Sequence, residues 1–183
     1  MKQYVALLRG INVGGKNLIK MADLKACFEE LGYVDVLTYI QSGNVIFRAG
    51  ESENAGLERT LEAALSESFH YESTVVVRSE GEIMEIVKHA PSGFGSDPEA
   101  YRYDVIFLKA PLTSTEAMKS ITTKDGVDQA FTGEGVLYFS RLTSRASQSR
   151  LSRIVSMPIY QSMTIRNWNT TTKLLNLMET FGK

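Results

Sequence analysis

The chain has 183 residues, 43% hydrophobic and 22% charged, with 14 Gly, 4 Pro and one Cys. Those proportions exclude a disordered, collagen-like or disulfide-scaffold protein and leave one ordinary domain or two small ones, each able to bury a core. A formal net charge of −1 argues against a polyanion binder, and the apolar run at 4–8 is too short for a membrane span or a signal peptide, which points to the cytosol.

In chain order, YVALLR at 4–9 reads as a buried strand, and Met21, Leu24, Phe28 and Leu31 recur at helical spacing until Gly32. The β-branched and aromatic runs at 34–40 and 45–48, separated by Gln41-Ser42-Gly43-Asn44, form a hairpin signal. Leu57, Leu61, Ala64, Leu65 and Phe69 mark a second helix opened by Glu51 and Glu53, its acids read as a solvated face. A strand at 74–78 and a helix carrying Ile83, Ile86 and Val87 complete the first half.

The stretch PSGFGSDP at 91–98 reads as a linker. The pattern then restarts with a strand at 103–108, a helix at 115–121, a hairpin of 127–131 and 136–140, a helix at 151–155 and a strand at 163–166. A last helix carries Leu174, Leu175, Met178 and Phe181 and ends at Gly182. The expectation is an α+β chain of two tandem ferredoxin-like units, each βαββαβ plus a helix, with antiparallel or mixed sheets: a first unit at 1–90, a linker at 91–100 and a second unit at 101–183.

Charge is uneven. Residues 135–178 carry Arg141, Arg145, Arg150, Arg153, Arg166 and Lys173 and no acid, while residues 1–134 carry an excess of acids. The asymmetry reads first as attraction within the molecule or between subunits of a homo-oligomer, with an anionic partner as the alternative.

If the first two strands are parallel, the loops that leave them share one end of the sheet, so 10–17 and 41–44 should be neighbours. The spacing Gly10-x-x-x-x-Gly15-Lys16 fits a nucleotide P-loop, but Asn17 stands where a metal-ligating hydroxyl is needed, which excludes nucleoside triphosphate hydrolysis. The candidate ligand-binding residues are Arg9, Gly10, Asn12, Gly14, Gly15, Lys16, Gln41, Ser42 and Asn44, with backbone N–H groups, two cations and amides facing a small anion. The same glycines and asparagines also suit plain tight turns. A second patch, Arg166, Asn167, Trp168 and Asn169, joins the last strand to the last helix, where Asn169 or Thr170 is expected to cap the helix and the single Trp to be buried with its indole N–H bonded.

His70 and His89 lack partners at metal-ligand spacing, so no metal or other cofactor is expected, and Cys27 reads as a small core residue. No catalytic residue is assigned. Nucleic acid is disfavoured because NVIFR at 44–48 and VLYFSR at 136–141 lack the aromatic and glycine pattern of RNA-recognition strands. The leading class is a protein, enzyme or binder, that takes a small anionic or phosphorylated ligand at the first unit's loop and hairpin. The alternative is a nucleic-acid-binding or interaction and oligomerisation module using the basic C-terminal quarter.

Three stretches, YVALLRGINVGGKN at 4–17, TYIQSGNVIF at 38–47 and TIRNWNTTTKLL at 164–175, resemble the signature stretches of the DUF1697 family of bacterial proteins. The resemblance implies a cytosolic bacterial protein with a two-unit α/β fold, and it implies no activity or catalytic residue. It places Arg9, Gly10, Asn12, Gly14, Gly15, Lys16, Gln41, Ser42, Gly43, Asn44, Arg166, Asn167, Trp168 and Asn169 in the family pattern.

Overall fold

Residues 1–50 and 52–181 are described by a computed structural model; Glu51 and Gly182, expected at the ends of the second and last helices, lie outside the described residues. The elements are β1 (Lys2–Leu8), α1 (Met21–Glu30), β2 (Val34–Tyr39), β3 (Asn44–Ala49), α2 (Asn54–Phe69), β4 (Val75–Ser79), α3 (Glu80–Lys88), β5 (Tyr101–Leu108), α4 (Ser114–Ser120), β6 (Asp128–Gly133), β7 (Val136–Leu142), α5 (Leu151–Val155), β8 (Met163–Asn167) and α6 (Trp168–Thr180). Two short 3-10 helices, Thr143–Gln148 and Pro158–Ser162, flank α5; their polar, aperiodic sequences carry no helical signal. None of these helices is long and apolar enough to cross a membrane.

The fold is α+β with two four-stranded sheets, ordered β2-β3-β1-β4 and β6-β7-β5-β8. Every strand pairing among the described residues is antiparallel. Backbone proximity groups Met1–Met84 with Lys173–Lys183 as one unit and Glu85–Thr172 as the other. The expected linker at 91–98 is a series of turns within the second unit, and Phe94 is packed there against Tyr103, Tyr138 and Trp168 at ring-centroid distances of 4.9, 5.4 and 5.2 Å.

Alternation along each strand decides which face meets the helices. In the first unit Tyr4, Ala6, Leu8, Val45, Phe47, Val75 and Val77 form one face and bury against Leu24, Phe28, Leu57, Leu61 and Leu65. In the second, Ile106, Leu108, Leu137, Phe139 and Met163 pack against Ala117, Leu151 and Ile154. Of the acids of α2, Glu67 is exposed as expected, while Glu58 and Glu62 depart from a solvated face. Glu58 is 3% exposed and accepts the Val77 N–H at 2.9 Å, and Glu62 accepts the Val75 N–H at 2.8 Å. β4 is an edge strand, so these carboxylates occupy N–H groups that would otherwise template another strand.

The two sheets share one register plan. Leu8 donates its N–H to Gly43 O at 2.8 Å, as Leu108 does to Gly135 O at 3.0 Å. Arg78 stands opposite Val5 and Arg166 opposite Val105. Each of these buried arginines donates through Nη1 to the carbonyl of the preceding residue, Val77 at 2.7 Å and Ile165 at 2.8 Å. Burial lowers the pKa of both guanidinium groups, that of Arg166 to about 10.

Candidate functional site

The loop that follows β1 is a miniature hairpin. Val13 and Lys16 form a bridge, the Lys16 N–H reaches Val13 O at 3.1 Å, and Gly14 and Gly15 have φ of 59° and 74°. Two successive positive φ values are the signature of a type I′ turn, where glycine costs least. Asn12 ties this loop down: Nδ2 donates to Ile19 O at 3.0 Å and Gln41 O at 2.9 Å, and Oδ1 accepts the Ile19 N–H at 2.8 Å. The Asn12 to Gln41 bond makes loop 10–17 and hairpin 41–44 neighbours.

The hairpin is tight as well. A Cβ on Gly43 would stand 2.8 Å from Leu8 Cβ and from Ile11 Cδ1, and Ile40 holds a φ of 50° that β-branched residues seldom adopt. Asn44 is fully buried and donates to Tyr39 O at 3.0 Å and to Ser42 Oγ at 3.2 Å. The amide side chains of Asn12 and Asn44 therefore bind backbone and hydroxyl partners of the fold. Gly10, Gly14, Gly15 and Lys16 are exposed at the tip, and Arg9 is half-buried with its N–H on Thr74 O at 3.0 Å.

The second patch lies elsewhere and divides. Arg166 is 7% exposed and donates to Thr164 Oγ1 at 2.9 Å, inside the sheet. The helix cap is Asn167, two or three residues earlier than expected for Asn169 or Thr170: its Oδ1 accepts the Thr170 N–H at 2.7 Å. Trp168 is half-buried, its ring set edge-on at 89° to Phe94 rather than enclosed in a core. Gly95 accommodates it, since a Cβ there would lie 2.3 Å from Trp168 Nε1.

Asn167, Trp168 and Asn169 line a hollow of about 310 Å³ together with Pro98, Tyr101, Arg102, Tyr103 and Arg141. Its origin is geometric. β5 pairs with β8 only from Asp104 onward, so the residues of β5 before it overrun β8 where the chain turns into α6. β1 overruns β4 in the same way, pairing only from Tyr4. A hollow of about 440 Å³ lies at that place in the first unit, lined by Lys2, Gln3, Arg48, Ser79, Glu80 and others.

The linings differ. In the first unit two cations face one acid and no aromatic ring is present. In the second, the charged lining residues are both arginines, Arg102 and Arg141, accompanied by the rings of Tyr101, Tyr103 and Trp168. Arg102 and Arg141 are direct cross-strand partners, hence on one sheet face. Asp104 shares that face; its Oδ2 lies 3.4 Å from Arg141 Nη2, and burial raises its pKa against the lowering pull of Arg141 and Arg102. Asp128, opposite Arg141 on β6, is turned instead to the backbone N–H groups of Lys124 and Arg150 at 2.9 and 2.8 Å. The charge count along the sequence singles out Arg141 but passes over Arg102, Tyr101 and Tyr103; the alternation Tyr-Arg-Tyr-Asp at the start of β5 is the signal that marks them.

The family model described as "Protein of unknown function (DUF1697)" matches residues 1–138. The conserved bacterial protein SP0830 from Streptococcus pneumoniae has a similar structure, with a TM-score of 0.84 over 97% of this chain and 98% of that chain at 24% identity, a likeness of fold alone. No curated protein matches the chain. The stretch at 164–175 falls beyond the matched residues, whereas both glycine-bearing stretches, 4–17 and 38–47, fall within them, and the chain belongs to the DUF1697 family.

Proposed function

We propose that the protein binds a small anionic ligand in the hollow of the second unit, where Arg102 and Arg141 supply the charge. The observation that carries this reading is the cross-strand pairing of two arginines as the charged residues lining a cavity. Like charges directly opposite each other are destabilising, and an arginine fork suits a carboxylate or a phosphate. Asn167 and Asn169 add neutral polar groups, and the rings of Tyr101, Tyr103 and Trp168 give the ligand an apolar wall. Asp104 lies 3.4 Å from Arg141 but outside the lining, and no carboxylate or histidine lines the hollow to serve as a general base, so the reading is binding without turnover.

In this reading loop 10–17 and hairpin 41–44 are framework that fixes the end of β1. The strand orders support a ferredoxin-like arrangement in each unit, and the single Cys27, buried and free, is in keeping with a cytosolic protein.

The test is calorimetric titration with phosphate, pyrophosphate and citrate on wild type, Arg102→Gln, Arg141→Gln and Lys16→Ala. Binding that weakens about tenfold or more in the arginine variants and persists in Lys16→Ala supports the reading. Binding abolished by Lys16→Ala and indifferent to Arg102→Gln returns the site to the glycine loop. Arg102 is exposed, so its variant also guards against misfolding of Arg141→Gln.

A further inference from the structure

A second hollow of the same unit, about 240 Å³, adjoins the arginine hollow, sharing Tyr101 and Tyr103 with it, and includes Phe94, Gln129, Phe131 and Ser140 in its lining. Register makes it an ordered surface. Gln129 is the cross-strand partner of Ser140, and Ser140 of Tyr103, so an amide, a hydroxyl and a phenol ring stand in one row across β6, β7 and β5. Phe131, two residues beyond Gln129 on the same face, is 40% exposed, unusual for so large an apolar ring. Phe94 and Tyr103, both in the lining, meet edge-to-face at 66°.

We infer that this hollow binds the flat heterocycle of a nucleobase. A planar ring stacks on the open face of Phe131, while the Gln129 amide, which both donates and accepts, and the Ser140 hydroxyl match the alternating donors and acceptors of a base edge. The volume lies just below the range of about 300–1,000 Å³ found for small-ligand sites, which suits one ring system and little else. The one charged residue in the lining is Asp97, whose Oδ1 accepts the Ala100 N–H at 3.0 Å, and no cation lines the hollow, so an anionic group is disfavoured and a neutral base suits it. The two hollows meet at Tyr101 and Tyr103 and differ in charge, because Arg102 and Arg141 belong to the other face by the alternation of β5 and β7.

A reporter is built in, because Phe94 touches the only tryptophan, Trp168, at 5.2 Å. The experiment titrates wild type and Phe131→Ala with adenosine, cytidine and uridine, with ribose as control and single-stranded trinucleotides of the same bases as a second arm. Trp168 emission and ligand-detected NMR are followed together. The expected result is a saturable response to at least one nucleoside, none to ribose, and affinity about tenfold weaker in Phe131→Ala. Phe131 is largely open, so the variant is expected to keep the wild-type melting temperature, which is measured alongside. A nucleoside response assigns the ring to a free metabolite; a response to trinucleotides alone assigns it to a nucleic acid strand. No saturable response to either class, or equal affinity in wild type and Phe131→Ala, overturns the inference.

Discussion

Arg102 and Arg141 face each other across β5 and β7 as a register pair, so the sheet holds two like charges where opposite charges would stabilise it. Asp104 on the same face draws on both but pairs with Arg141, the stronger of the two pulls, so Arg102→Gln is expected to raise stability at low ionic strength by at most about 0.2–1 kcal/mol, a cross-strand pair magnitude. The gain should shrink in 1 M salt, where the Debye length is about 3 Å. Urea denaturation at the two salt concentrations measures it, and a loss of stability at low salt would mean that a carboxylate holds Arg102.

Asp104 answers to pH. Burial is the larger influence on its carboxyl and raises the pKa above the ordinary 3.8, while Arg141 and then Arg102 pull it down. The folded state then holds a proton that the unfolded state has released, so the contribution of this group is full below the ordinary value and declines as pH rises through the raised one. Asp104→Asn does not titrate. Its stability relative to wild type is expected to increase with pH across that window, as read by denaturant midpoints at closely spaced pH values, and the opposite slope would show the arginine pull to be the stronger.

Gly95 is needed twice over, for a φ of +85° and for the space that Trp168 fills. Gly95→Ala is expected to cost about 2 kcal/mol or more, from left-handed backbone strain and a displaced indole together. Because the chain has one tryptophan, the emission spectrum of the variant reports the displacement without ambiguity. Unchanged emission with unchanged stability would place the indole away from this glycine.

Asn12 holds the first loop by three bonds to backbone groups. Asn12→Ala leaves their partners seeking water and places alanine at a φ of 52°, for an expected loss of about 1–3 kcal/mol. Asn12→Gly relieves the strain but restores no bond, so it should fall between alanine and wild type. Thermal denaturation of the three proteins gives the order.

The strands and long helices were legible because burial writes itself as alternation or as a three-to-four spacing, as in YVALLR and in Leu57, Leu61 and Leu65. The meeting of the first loop with the hairpin was legible from topology alone. What escaped was decided by partners remote in sequence. Glu58 and Glu62 look like ordinary surface acids until β4 is seen to need its N–H groups occupied. The segment around Phe94 has the glycines and prolines of a linker, and only the rings of Tyr103, Tyr138 and Trp168 make it a packed wall. The capping residue shifted to Asn167 because β8 ends at the helix start without an intervening turn. The Gly14-Gly15 pair carried a double meaning, since a phosphate cradle and a type I′ turn ask for the same residue.

The overrun of β1 past β4 and of β5 past β8 has a consequence for stoichiometry. A ligand whose binding depends only on that overhang finds two places in each molecule, one edged by Lys2 and Arg48 and one by Arg102 and Arg141. A ligand that needs a ring wall beside two guanidinium groups finds one. Counting bound molecules per chain at saturation therefore separates selective recognition from adsorption to a cavity, with the first unit acting as the blank for the second.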